Sequence, residues 1–151
     1  LASESWLGAF AEWLSANRLP LLAALTVDGR VTWSPAHPDD SEVAAAFRHH
    51  QTWDRGFGPS LGVASAHHLA TLLQQRGYRV VLKRADWLIP ATDTAMVSAM
   101  IDGTAHAAQD AASSAGLSPA MVASWAAERM SRLGDVSLTV GHVDLLALPE
   151  G

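Results

Sequence analysis

Cysteine is absent from the 151 residues. That excludes a disulfide scaffold, a zinc–cysteine site, an iron–sulfur cluster and a cysteine nucleophile. Basic charge is scarce. Lys83 is the single lysine, the arginines are scattered, and the formal net charge is −5. Without a basic patch, neither a nucleic-acid partner nor an anionic membrane surface is expected. No apolar run approaches the roughly 20 residues that span a bilayer. A basic stretch leading into an apolar run and a small-residue cleavage site is also missing, so the expected address is the cytoplasm. Four catalytic or cofactor fingerprints are absent: GxxxxGK[ST], GxGxxG opening a helix, HExxH and GxSxG. The chain opens at Leu1 rather than at a methionine, and a segment preceding it is expected.

What is present suits a folded domain. Hydrophobic residues make up 49% and charged residues 17%, which argues against disorder. The length predicts a single unit, 1–151. Trp6, Leu7, Phe10, Trp13 and Leu14 lie on one helical face, which predicts a helix over 5–17 that Pro20 ends. Residues 21–27 form a continuous apolar run of strand length, as in strands covered on both faces. Asp28-Gly29 follows, then a second strand-like run over 30–34, a pattern that predicts a type I′ hairpin. Asp39 with Glu42 resembles a capping box and predicts a helix to about 52. Further helices are expected over 61–76, 93–114 and 119–133, and strands over 78–82, 136–140 and 143–148. Strands separated by helices predict an α/β architecture. Three core strands make a poor sheet, so this set is expected to belong to a larger one.

Chemistry-bearing residues cluster in few places. His49-His50 and His67-His68 are adjacent pairs. Helical neighbours point about 100° apart, so neither pair offers both rings to one ion, and no metal is expected. Residues 49–59 bring two imidazoles, Gln51, Asp54, Arg55, Trp53 and Phe57 to a glycine-rich bend. That mixture suits a small-molecule pocket; it equally suits a local Asp54–Arg55 pair with aromatics filling a core gap. In the last strand, His142 and Asp144 at i and i+2 form either a base with its orienting carboxylate or a backbone-bonded histidine beside a bulge at Gly141. Trp87 and Trp125 read as packing residues.

Several stretches taken in order resemble the C-terminal half of a class I S-adenosylmethionine-dependent methyltransferase, in a bacterial subgroup. They are 19–30 (LPLLAALTVDGR), 48–51 (RHHQ) with 54–62 (DRGFGPSLG), 77–80 (GYRV) with Asp86-Trp87, and 140–147 (VGHVDLLA). The resemblance spans nearly the whole chain. It implies a Rossmann-like seven-stranded sheet in the order 3-2-1-4-5-7-6 with an antiparallel last strand. On that map 21–27 is the fifth strand, 78–83 the sixth and 138–148 the seventh, with a helical insertion over about 84–137. The family's glycine-rich turn after strand one and acidic residue ending strand two have no counterpart here. S-adenosylmethionine is thus the implied cofactor, with no cofactor-binding residue in this chain. The resemblance puts Asp28, Trp33, His49, Gln51, Asp54, Arg55 and Phe57 on the side of a small-molecule methyl acceptor. Arg55 would grip an acidic acceptor, and His49 or His50 would take a proton; no catalytic residue is assigned. The implied partners are that acceptor, a missing N-terminal half and a possible second copy, with no nucleic acid and no membrane. The rival reading is a non-catalytic α/β module that binds a partner, or itself, through an exposed sheet face. A hydrolase ranks third, since no nucleophile elbow is visible.

Overall fold

The computed structural model describes residues 2–151, the side chain of Leu25 excepted. The protein is a mixed α/β structure built on an open antiparallel sheet with helices. It forms two compact units.

Unit 1 comprises Leu1–Gly29, Gln51–Asp86 and Gly141–Gly151. Helix α1 (Glu4–Ala16) starts where the Ser3 side chain accepts the Trp6 N–H, and it buries Leu7, Ala11 and Leu14. Those positions recur at the i, i+4, i+7 spacing that makes one stripe. Strand β1 (Leu21–Ser34) follows. Helix α3 (Ser65–Gln74) is entered through a 3-10 turn over Gly62–Ala64 and buries Ala66, Leu69, Ala70 and Leu73. Strand β2 (Tyr78–Arg84) lies antiparallel to β4 (Ser137–Pro149), with Val81 opposite Leu146 and Lys83 opposite Asp144. The strand order is β1-β4-β2. Helices α1 and α3 pack together over a core that includes Tyr78, Leu145 and Ala147. The Tyr78 hydroxyl donates towards the carbonyls of Leu14 and Leu19, at 2.8 and 2.9 Å, tying the end of α1 to the sheet. The other sheet face carries Leu22, Val81 and Leu146 at 70, 50 and 40% exposure.

Unit 2 comprises Arg30–His50 and Trp87–Val140. Helix α2 (Asp40–His50) packs on α4 (Thr94–Ala115), which packs on α5 (Pro119–Ser131). Asp93 caps α4 through the Met96 N–H, and Gly116, at φ 73°, ends it. Alanines at 105, 108, 111 and 112 are buried in α4, where small side chains let neighbouring helices approach closely. Strand β3 (Trp87–Ile89) pairs antiparallel with residues 138–140 of β4. The core joins Trp33, Val43, Ile101, Val122, Trp125 and Leu138.

Three expectations need correction. Asp28-Gly29 is no hairpin: β1 runs unbroken for 14 residues, and Gly29 takes φ 85° inside it. A type I′ turn needs the flanking runs to pair with each other, whereas β1 has β4 as its neighbour. The run over 21–27 is not covered on both faces by this chain, since Leu22 is 70% exposed. Residues 87–89 form a strand where none was expected.

Candidate functional site

A dense polar constellation lies in unit 2, around Asp40 and Arg129. Asp40 opens α2, and Arg129 stands in the last turn of α5, one helical turn after Trp125. The i, i+4 spacing of Trp125 and Arg129 puts both on one helix face. Arg129 is only 3% exposed. Its Nη2 donates to Asp40 Oδ1 in a close ion pair. The same oxygen accepts the Trp125 Nε1–H at 2.8 Å, and Oδ2 accepts the His37 backbone N–H at 2.8 Å. The guanidinium carbon lies 4.6 Å from the Trp33 ring centroid and 5.3 Å from that of Trp125. These two rings meet edge to face, with centroids 5.5 Å apart. A buried arginine held between indoles gains a desolvated cation–π attraction on top of its ion pair.

Burial works to raise the Asp40 pKa, but the hydrogen bonds from Trp125, the His37 amide and Arg129, with the Arg129 charge, outweigh it. The net result is a carboxyl held below its ordinary range. His37 extends the network, its Nε2 standing 3.0 Å from Glu128 Oε2. That contact, with the Ser124 hydroxyl, lowers the Glu128 pKa as well. A small cavity of about 40 Å³ lies against His37, Glu128, Arg129 and Arg132. A larger cleft of about 340 Å³ runs along α2 and the end of β1, past Asp40 and Arg48.

The residues singled out in the sequence divide between the units. Trp33 and His49 belong to unit 2; Asp28, Gln51, Asp54, Arg55 and Phe57 belong to unit 1. Trp33 is the one drawn into the polar constellation, as the wall of the Arg129 slot. His49 is exposed, and Asp28 sits half-buried in β1. Its neighbour His50 reaches Asp110 at 3.6 Å, and Asp110 also faces His106 at 3.9 Å. Among the described residues, no group of three or more histidines and carboxylates is placed to hold a metal ion.

The bend after α2 is an internally bonded loop. Asp54 Oδ1 accepts the amides of Gly56 at 2.7 Å and Gly58 at 2.9 Å. Arg55 lies over the Trp53 ring at 5.6 Å. Phe57 is 58% exposed and meets Trp6 edge to face. Gln51 is half-buried, with its Oε1 buried and unpaired. This is the chain's glycine-rich loop, and its Gly56 and Gly58 amides are already committed to Asp54. It therefore does not fit the phosphate- or ribose-cradling turn that a nucleoside cofactor needs. This loop does not offer S-adenosylmethionine such a turn. In β4, His142 is 4% exposed and its N–H donates to Asp86 Oδ1 at 3.3 Å, while Asp144 stands opposite Lys83.

Sequence reasoning missed Asp40, Arg129, His37 and Glu128, and treated Trp125 as packing alone. The pairing partners are 85 to 91 residues apart in sequence. The one local signal was the aromatic-plus-arginine i, i+4 pair on α5. Comparison with protein-family models, with curated proteins and with solved structures finds no match to this chain.

Proposed function

We propose that the chain is the substrate-side, C-terminal half of an S-adenosylmethionine-dependent methyltransferase acting on a small molecule. The observation that carries this reading is the strand order. β1-β4-β2, with β4 antiparallel to β2, corresponds to the 5-7-6 end of the methyltransferase sheet. In that order the last strand in sequence lies between β1 and β2, while β3 pairs with its first residues. Two further features agree with it. β1 ends the order β1-β4-β2, so on one side it has no strand partner among the described residues. One sheet face of unit 1 carries α1 and α3, while the other leaves Leu22, Val81 and Leu146 open, as a doubly covered sheet would if one layer came from elsewhere.

In this reading unit 2 supplies residues that contact the methyl acceptor. Methyl transfer needs chiefly in-line alignment of the acceptor, with a base where the acceptor must lose a proton. The buried Asp40–Arg129 pair, bonded to Trp125, the His37 amide and the Pro35 carbonyl, supports such alignment by holding the 35–40 loop against α5. The test is the coding sequence upstream of Leu1. A strand, a glycine-rich turn and a second strand ending in an acidic residue are expected there; a start codon immediately before Leu1 would contradict the reading. The open face of unit 1 equally supports a non-catalytic module that docks a partner, and that start codon is the outcome which favours it.

A further inference from the structure

The cleft along α2 carries a charge that nothing among the described residues answers. Ser41, Ala44 and Arg48 form its helix wall, with Val31 and Trp33 on the strand side. The spacing i, i+3, i+7 places the three helix residues on one face. Arg48 is half-buried, yet among the described residues its side chain has no hydrogen-bond or ion-pair partner. The carboxylate that shares the cleft, Asp40, is already bound by Arg129, Trp125 and the His37 amide. It also lies eight residues away along the helix, about 12 Å at 1.5 Å per residue. The unanswered charge on the cleft is therefore positive, and between it and Asp40 the walls are mostly apolar. A guanidinium presents a planar fork of donors matched to a carboxylate. The volume, about 340 Å³, is at the small end of ligand sites.

We propose that this cleft binds a small organic carboxylate with a flat apolar body, the acid group clamped by Arg48 and the body lying over Ala44 and Val31. The site is complete within unit 2 and does not depend on the methyl-transfer reading; if both hold, the bound acid is the methyl acceptor.

Benzoate and its uncharged methyl ester are suitable probes, titrated into the 151-residue protein and followed by ¹H–¹⁵N NMR. Benzoate is expected to shift the amides of Val31, Ala44 and Arg48 saturably, and methyl benzoate to bind about tenfold more weakly or worse. Arg48→Met, which keeps the stem and removes the charge, should bring benzoate down to the ester's affinity. Ala44→Phe, which fills the cleft, should abolish both. The absence of saturable shifts at these amides, equal affinity for acid and ester, or an undiminished acid preference in the folded Arg48→Met protein would overturn the assignment. Neither probe involves the cofactor, so failure here leaves the methyltransferase reading standing, and success does not establish it.

Discussion

At the scale of single residues, the Asp40–Arg129 pair is the point where polar chemistry and stability meet. Arg129 is 3% exposed and Asp40 22%. Removing one partner of such a pair leaves the other charge buried and uncompensated, which typically costs about 3–5 kcal/mol. Arg129→Met and Asp40→Asn are therefore expected to lower stability by about that amount, read from urea unfolding at pH 7. The pH dependence has a definite sign. A carboxyl whose pKa is depressed in the folded state stabilises the protein above the unfolded value, about 3.9 for aspartate. That stabilisation fades as pH falls through the folded value. The stability gap between wild type and Asp40→Asn should thus be full at pH 6 and shrink below about pH 4; a gap that stays constant down to pH 2.5 would contradict the assignment. None of this was legible in the sequence. Asp40 reads there as one of two adjacent acids before a helix, and only the fold brings α5 against it. Arg55 and Asp54, by contrast, stood out, yet one lies over Trp53 and the other bonds two glycine amides.

At the scale of elements, regularity in the sequence carried over well where local physics decides. The five helices lie close to where apolar spacing and caps put them, because a stripe at 3.6-residue spacing and a capping side chain act within a few residues. Strands were legible as runs but not in their pairing. The Asp28-Gly29 dipeptide carries the chemistry of a hairpin turn, but the neighbour of β1 is a strand more than 100 residues later. β3 escaped notice because three residues give no period to read. The loop before α3 makes a test at this scale. Gly58 sits at φ 84°, and a Cβ there would meet the Ser3 Cβ at 3.2 Å. Left-handed backbone costs an ordinary residue about 1–2 kcal/mol, so Gly58→Ala should destabilise the protein by at least that much. Gly103, with nothing within 4 Å of its would-be Cβ and no left-handed φ, is the control. Gly103→Ala should be stabilising by up to about 1 kcal/mol, since alanine is the better helix former. Thermal melts of the two variants separate these outcomes.

At the scale of the whole molecule, the sequence has few strands for the apolar runs they contain, and a larger sheet is the expectation drawn from it. Leu22, Val81 and Leu146 stand exposed on one face of unit 1, and among the described residues β1 has no strand partner on one side. Apolar sheet faces and unpaired strand edges promote association. Analytical ultracentrifugation should show concentration-dependent self-association of the 151-residue protein. Leu22→Lys should reduce it while changing unfolding stability by less than about 0.5 kcal/mol, as expected for an exposed site. The cofactor question belongs to the same scale, since the Gly56 and Gly58 amides of the glycine-rich loop are bonded to Asp54. Calorimetric titration with S-adenosylmethionine, run in parallel on the 151-residue protein and on the product of the full reading frame, separates the two readings. Micromolar binding by the full product and no binding heat from the 151-residue chain are expected; binding by the short chain, or none by the full product, would overturn the methyltransferase assignment.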